Sequence, residues 1–248
     1  MTDIHAHFLP GIDDGCRDMR DTLAFLRDSE ESGVKRIVAT SHFNPYYGWY
    51  NYRTPELFEL YERVKQEARE DCLEIDIILG TEINVDDDTV SLLDQGKLMT
   101  YGDSRYMLAE FDDLDTPRWV TARLSDLISA GYIPIVAHPE RYYFVTDEPW
   151  LAYDWLDMGC LIQITKGSVL GSFGPDAQKN SDYLLDEGWV SCIASDGHRS
   201  GTIRNSKMKK IKEYITDAYS ARTARLLLDE NPDAIALGKK IEERGIRA

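Results

Sequence analysis

The five histidines of this sequence recur along the chain together with acidic residues in similar local settings. Imidazole nitrogens and carboxylate oxygens form a ligand set suited to zinc, manganese or iron. The pairs His5-x-His7 and Asp196-x-His198 can each direct two side chains toward one centre where a strand gives way to a loop. The remaining residues of this kind are His42, His138, Glu82 and Glu110. The sequence therefore predicts a site for divalent metal ions.

Short apolar runs end close to these residues and alternate with longer amphipathic runs, a pattern that predicts strands and helices in turn. The predicted strands cover residues 3–5, 36–40, 75–79, 106–110, 133–137, 161–164 and 190–194. The predicted helices cover residues 19–32, 55–71, 88–95, 119–130, 150–158, 176–187, 207–219 and 223–229. Strict alternation favours a parallel sheet, and closing it gives a TIM-like α/β barrel with seven strands in one domain over residues 1–248. An open doubly wound sheet is the alternative. In a barrel, the carboxyl ends of the strands carry the catalytic groups.

Charge and composition limit the classes of partner. The net charge of −16 argues against nucleic acid and against anionic membranes, which attract clustered Lys and Arg. No run approaches the roughly 18 apolar residues of a membrane span, and no secretory signal is recognisable at the start, so we expect a cytoplasmic protein. Cysteine-dependent tyrosine phosphatase chemistry is excluded because no Cys is followed by Arg at the required spacing. We expect the four cysteines to be buried as small hydrophobic residues.

Several motifs in a fixed order resemble the PHP (polymerase and histidinol phosphatase) superfamily, and more narrowly the bacterial capsule-type tyrosine phosphatases called CpsB-like. The first motif is DIHAHFLPGIDDG at residues 3–15. The others are SH at 41–42, GTEI at 80–83, EF at 110–111, AHPERY at 137–142, GS at 167–168 with FG at 173–174, and ASDGH at 194–198. The resemblance covers nearly the whole chain and implies a distorted (β/α)7 barrel of the PHP type with three divalent metal ions, manganese first and zinc or iron as alternatives.

Carried over residue by residue, the resemblance gives each metal ion a ligand set. The three sets are His5, His7, Glu82 and Asp196; Asp14, His42 and His198; and Glu110 and His138 with Glu82 as a bridge. Spacing leaves open whether the neighbouring Asp13 coordinates instead of Asp14 or braces the turn. Four ligand carboxylates and three divalent ions leave a charge of about +2, which suits a phosphate dianion. A metal-bridging hydroxide would attack phosphorus.

Two arginines are predicted to bind phosphate and assist catalysis. Arg141 lies three residues beyond His138, although an ion pair with Glu140 or Glu148 is an alternative role. Arg204 resembles the second arginine of the family, with Arg199 in reserve. The aromatic loop 46–52, and Tyr47 in particular, is predicted to bind the substrate's phenyl ring. Packing or a subunit interface is its alternative role.

The resemblance implies a metal-dependent tyrosine phosphatase that acts on the tail of a bacterial tyrosine kinase controlling capsule or exopolysaccharide synthesis. Phosphatase activity on histidinol phosphate or another small phosphomonoester is the runner-up. An amidohydrolase and a non-catalytic binding domain are weaker alternatives, because Glu110 stands where amidohydrolases use a modified lysine and no metal ligand is missing. The oligomeric state is open, with a homo-oligomer among the alternatives.

Overall fold

The computed structural model describes residues 1–242 and residue 245, and in it strands and helices alternate as the periodicity predicts. The strands are β1 (Thr2–Ala6), β2 (Arg36–Ala39), β3 (His42–Asn44), β4 (Trp49–Tyr50), β5 (Asp76–Leu79), β6 (Glu82–Asn84), β7 (Tyr106–Glu110), β8 (Ile133–Ala137), β9 (Leu161–Thr165) and β10 (Cys192–Ala194). The helices are α1 (Met19–Glu31), α2 (Pro55–Glu70), α3 (Thr89–Asp94), α4 (Pro117–Ser129), α5 (Tyr143–Asp147), α6 (Leu151–Met158), α7 (Lys166–Val169), α8 (Pro175–Asp186), α9 (Lys209–Ala218), α10 (Ala221–Arg225) and α11 (Asn231–Ala236). Shorter turns of 3-10 helix cover Pro45–Tyr47, Tyr101–Asp103 and Pro139–Arg141, and a π-helix covers Leu226–Glu230.

Local sequence explains where the long helices begin. Thr54 and Thr116 accept hydrogen bonds from backbone N–H groups of the first turns of α2 and α4, and each is followed by a proline. A side-chain acceptor satisfies an N–H that has no partner within the helix, and proline at the first position already has the helical φ. Helices α1, α4, α6 and α8 each lead into a glycine with positive φ, as predicted: Gly33, Gly131, Gly159 and Gly188.

The strands divide between two sheets with orders β1-β2-β5 and β10-β9-β8-β7-β6-β3-β4. Among the described residues every strand pairing is parallel except β3 with β4. The α/β class with a parallel sheet is confirmed. The single seven-stranded barrel is not, because the second and third predicted strands are each interrupted and pass from one sheet to the other.

The interruptions follow from local packing. The predicted strand 36–40 ends at Ala39, and the chain resumes as β3 at His42. In the same way β5 ends at Leu79 and β6 begins at Glu82. Between β5 and β6, a Cβ on Gly80 would lie 2.6 Å from the Tyr101 ring. This close approach requires glycine at position 80.

Buried side chains fill the space on both sides of the strands. One cluster joins the strands to the helices and includes Phe25 and Trp155. A second cluster, with Ile4, Leu108 and Ile135, is formed mainly by strand residues. Three of the four cysteines are buried as predicted, but Cys72, which follows α2, is exposed. Among the described residues no helix is long and apolar enough to cross a membrane.

Candidate metal centre

All nine predicted metal ligands lie close together beside the carboxyl ends of β1, β7, β8 and β10. His5 is within β1, Glu110 ends β7, and His138 directly follows β8. His7, Asp14, Asp196 and His198 lie in the loops after β1 and β10. His42 and Glu82 follow the ends of β2 and β5, and they also begin the short strands β3 and β6.

Glu82 lies at the middle of this group. Its Oε2 is 3.1 Å from His5 Nε2, 3.1 Å from His7 Nε2 and 3.1 Å from His42 Nδ1. Its Oε1 is 3.0 Å from His138 Nε2. One buried carboxylate thus faces four imidazoles, an arrangement suited to bridging neighbouring cations.

The donor atoms fall into four overlapping groups, each with its atoms within 4.8 Å of one another. The groups are His7, Asp14, His42 and His198; His5, His7 and Asp196; His5, Glu82 and His138; and His42, Glu82 and Glu110. They differ from the predicted sets in several respects. His7 joins the group of Asp14 as well as that of His5, His5 joins Glu82 and His138, and Glu110 falls with His42 and Glu82 although its Oε1 also lies 3.8 Å from His138 Nε2.

The residues present fit divalent cations. His42 Nδ1, Glu82 Oε2, Glu110 Oε2, His138 Nδ1 and His198 Nε2 are buried and have no hydrogen-bond partner among the described residues. Leaving a buried polar atom unpaired is costly, and more so for a charged one. Metal coordination satisfies such atoms, and this donor set matches the one that zinc, manganese or iron prefers.

Two further residues orient the imidazoles. Gln163 Oε1 is 2.7 Å from His5 Nδ1, and Asp13 Oδ2 is 3.0 Å from His7 Nδ1. An acceptor on one ring nitrogen fixes the proton there and leaves the other nitrogen free to coordinate. Asp13 also accepts the backbone N–H groups of Gly15 (3.0 Å) and His42 (3.1 Å). Asp13 therefore braces the turn, and Asp14 is the residue in the donor group.

Burial and neighbouring charges shift the pKa values of the histidines and carboxylates in opposite directions. Burial by itself lowers the pKa of His5, but the Glu82 and Asp196 carboxylates outweigh it and raise that pKa to about 9. Burial lowers the pKa of His198 to about 4, aided by the neighbouring His7. For Asp196, burial acts to raise the pKa, yet the charges of Arg204 and His5 keep it well below the usual value. Asp196 is therefore ionised, and a cation binding at His5 would displace a proton from that imidazole.

The backbone at two of these residues is in the left-handed region. His138 has φ +36° and Asp196 has φ +47°, although neither is glycine. Such a conformation costs free energy for a residue with a Cβ and persists where the surroundings enforce it. The turn at His138 directs its Nε2 toward Glu82, and the turn at Asp196 places its carboxylate beside His5 and His7.

Both predicted arginines contact Asp196, one of the nine candidate metal ligands. Arg141 Nη1 donates to Asp196 Oδ2 at 2.8 Å, and Arg204 Nη2 donates to Asp196 Oδ1 at 2.7 Å. Among the described residues Arg141 forms no ion pair with Glu140 or Glu148, and its guanidinium lies 5.2 Å from the centroid of the Phe173 ring.

Arg199, held in reserve by the sequence analysis, has a different role. It donates to the backbone carbonyls of Gly15 at 2.8 Å and Asp14 at 3.1 Å. This guanidinium holds the loop after β1 in place, and Arg204 is the one directed to the centre.

A cavity of about 400 Å³ adjoins the candidate metal ligands. It is lined in part by His42, Tyr47, Trp49, Arg141 and Arg204. The Trp49 ring stacks on the His42 ring with centroids 4.9 Å apart and planes inclined by 15°. Tyr47 is 5.3 Å from Trp49 and 61% exposed. The aromatic loop therefore forms one wall of the cavity.

Gln163 was not predicted as a site residue, Trp49 was predicted only as part of the aromatic loop, and the role of Asp13 was left open. Gln163 lies on β9 and reaches the same level as His5. Its polar side chain at an interior strand position was a usable signal. The contact between Trp49 and His42 depends on the β3–β4 hairpin, which no pattern in the sequence indicated.

The family described as "Capsular polysaccharide synthesis, CpsB/CapC" matches residues 1–237. The chain belongs to the CpsB/CapC family. The predicted capsule-type resemblance is thereby confirmed, and the nine residues described above are those of a CpsB/CapC protein.

Relatives of this CpsB/CapC chain carry names that specify an activity. Tyrosine-protein phosphatase YwqE of Bacillus subtilis (strain 168) is 30% identical over 241 residues, 97% of this chain and 93% of that protein. Tyrosine-protein phosphatase CpsB of Streptococcus pneumoniae is 30% identical over 246 residues, 97% of this chain and 100% of that protein. A crystal structure from work on those two proteins, described as unique metal-dependent tyrosine phosphatases, superposes with a TM-score of 0.89 at 28% identity and covers 100% of both chains.

Proposed function

We propose that this protein is a metal-dependent tyrosine phosphatase that hydrolyses phosphotyrosine on protein substrates. The observation that carries the proposal is the convergence of nine side chains able to bind metal, all but Asp14 buried or partly buried, with two arginines that line the adjoining cavity. The named activity of relatives that match nearly the whole chain supports it. Those names favour phosphotyrosine over histidinol phosphate as the substrate.

The proposed ligands of the divalent ions are His5, His7, Asp14, His42, Glu82, Glu110, His138, Asp196 and His198. We propose three ions, with manganese first and zinc or iron as alternatives. When bound, such ions lower the pKa of water and neutralise charge on phosphoryl oxygens. Gln163 and Asp13 keep the His5 and His7 rings turned toward the centre. Glu82 holds the imidazoles around it in one arrangement.

The arginines and the aromatic wall position the substrate. Arg141 and Arg204 place two guanidinium groups at the cavity, where each can donate two parallel hydrogen bonds to phosphate oxygens. Tyr47 and Trp49 offer faces against which the phenyl ring of phosphotyrosine can stack. The leaving phenolate has a pKa near 10, roughly that of free tyrosine, so its departure needs little help from a general acid.

We also propose that the two sheets together form the distorted (β/α)7 barrel expected of the PHP type. Backbone hydrogen bonds support this proposal. Asp196 N donates to His5 O at 2.9 Å, and His7 N donates to Gly197 O at 2.8 Å. These bonds join β1 to the segment after β10, and so connect an edge of one sheet to an edge of the other.

The proposed partner is a phosphorylated tail of a bacterial tyrosine kinase that controls capsule or exopolysaccharide synthesis. The family's description, which names capsular polysaccharide synthesis, supports this biological setting. An extended tail suits the open cavity because a phosphotyrosine side chain can enter while the peptide backbone stays outside.

The test is hydrolysis of a phosphotyrosine peptide with and without a chelator, repeated on His138→Ala and Asp196→Ala. We expect activity to fall by orders of magnitude in each case, while circular dichroism shows retained folding. Glu59→Ala, on the exposed face of α2, is the matched control and keeps full activity. Histidinol phosphate is assayed in parallel. A strong preference for it, or full activity in both variants, would refute the proposal.

A further inference from the structure

A second cavity, of about 920 Å³, lies between the end of α1, helix α7 and the segment 201–210. We call it the lysine cavity because its charged lining residues are Lys166, Lys207, Lys209, Lys210, Asp28 and Glu31. Four cations thus face two acids in a chain whose net charge is −16. The local sign of the charge is opposite to that of the whole protein, which favours an anionic ligand.

Lys166 is the most unusual of these residues. It is only 5% exposed, and among the described residues no carboxylate lies within ion-pair distance of its ammonium group. Its Nζ donates to Asn205 Oδ1 at 3.2 Å, which uses one of three donors. Burial of the ammonium lowers its pKa to about 8. The Asp3 and Asp196 carboxylates offset this effect only in part, so an anion entering the cavity would stabilise the buried charge further.

The other three lysines can also contribute positive charge to a bound ligand. Lys207 contacts Asp28 at 3.0 Å, and Asp28 also accepts a hydrogen bond from Ser200 Oγ. Lys209 is at the 4.0 Å limit of contact with Glu213. All three are exposed at the mouth of the cavity, while Lys166 is buried deeper.

The lysine cavity adjoins the candidate metal centre through a single loop. Arg204 lines the cavity above the metal ligands, and the next residue, Asn205, lines the lysine cavity and contacts Lys166. Consecutive Cα atoms are about 3.8 Å apart, and an extended peptide advances about 3.3 Å per residue. A peptide with its phosphotyrosine at the centre would therefore carry its flanking residues toward the shared wall of the lysine cavity.

We propose that the lysine cavity binds acidic side chains that flank the phosphotyrosine in the same peptide, so that the enzyme prefers acidic substrates. The predicted effect on KM rests on the proposed function. Binding of an acidic peptide does not depend on catalysis, because none of the proposed metal ligands lines the lysine cavity.

The test compares two phosphotyrosine peptides of equal length, one flanked by Glu and one by Gln, on the metal-loaded full chain. For the wild type we expect a lower KM for the Glu peptide. In the double variant Lys207→Gln/Lys210→Gln the ratio of the KM for the Gln peptide to the KM for the Glu peptide should fall about fivefold, as expected for the loss of two partly exposed ion pairs. The KM for the Gln peptide and the hydrolysis of para-nitrophenyl phosphate stay within about twofold. The matched control, Lys65→Gln/Lys97→Gln, removes the same charge elsewhere and keeps the preference.

Fluorescence anisotropy with an unphosphorylated Glu-rich peptide separates this inference from the proposed function. Weaker binding by the Lys207/Lys210 variant than by the control variant supports the lysine cavity even if no phosphotyrosine is hydrolysed. Equal KM values for the two peptides on the wild type would overturn the inference. So would an equal loss of preference in both double variants, because that result would indicate long-range attraction by net charge alone.

Discussion

Asp13 and Asp14 are adjacent carboxylates for which the structure predicts opposite consequences of substitution. The Asp13 side chain is buried and accepts three hydrogen bonds, from His7 Nδ1 and from the N–H groups of Gly15 and His42. Asp13→Ala leaves three donors without their acceptor. At about 1 kcal/mol for each, the free energy of unfolding should fall by about 3 kcal/mol.

Asp14→Ala should behave differently. Its side chain is 42% exposed, it faces the neutral His198 ring at 3.2 Å, and its charged partners are His42 Nε2 at 3.6 Å and Arg204 Nη1 at 3.8 Å. Exposed ion pairs contribute at most about 1 kcal/mol, so stability should change by less than that. Activity should fall by at least about 100-fold, because a proposed metal ligand is lost and even outer-shell partners cost 10–100-fold.

Urea unfolding in the presence of a chelator measures stability without the contribution of bound metal. Phosphatase assays with added manganese measure activity on the same samples. If Asp13→Ala unfolded within 1 kcal/mol of the wild type, or if Asp14→Ala cost as much stability as Asp13→Ala, the division of roles argued here would be wrong.

Three further predictions follow from the same structure. Arg204→Ala should lower kcat/KM for phosphotyrosine peptides by about 10–100-fold, the cost of a lost charge-assisted contact, whereas Arg199→Ala should mainly lower the melting temperature. Tyr47→Ala should raise KM for aryl phosphates several-fold, while Tyr46→Ala, which does not line the cavity, should not; equal effects would remove the stacking role. The pKa of Lys166 is about 8 folded and near 10.5 unfolded, so the unfolded chain binds more protons in that interval. Stability should therefore rise between pH 8 and 10.5 by up to about 3 kcal/mol relative to Lys166→Met, and parallel pH profiles of the two proteins would contradict this.

The sequence alone was sufficient to predict much of the candidate site. Histidine and carboxylate at recurrent strand-end positions predicted the clustering of residues as distant as His5 and His198. That inference needs only the rule that parallel strands present their carboxyl ends at one edge. Asp13 could not be separated from Asp14 in this way, because the difference lies in side-chain direction within one turn.

The fold was predicted in class but not in detail. Alternating periodicity cannot show an interruption such as that between Ala39 and His42, because pairing continues on both sides of it. The close approach of Tyr101 to Gly80 that accompanies the second interruption is a tertiary contact, and no local propensity encodes it. The lysine cavity could not be predicted from local patterns for the same reason. Lys166 and the lysines of segment 207–210 are distant in sequence and are brought together only by folding.

The left-handed backbone at His138 and Asp196 has a consequence for laboratory evolution. Replacing His138 with glycine removes a Cβ from an unfavourable conformation and a polar group from a crowded cluster, whereas loss of Asp196 would leave Arg141 and Arg204 without their acceptor. The His138→Gly variant loses a proposed metal ligand, but its turn no longer carries the backbone strain of a residue with a Cβ. A library selected only for expression or heat resistance will therefore accumulate inactive members with glycine at position 138, so a screen for more stable forms of this protein must measure turnover in every round.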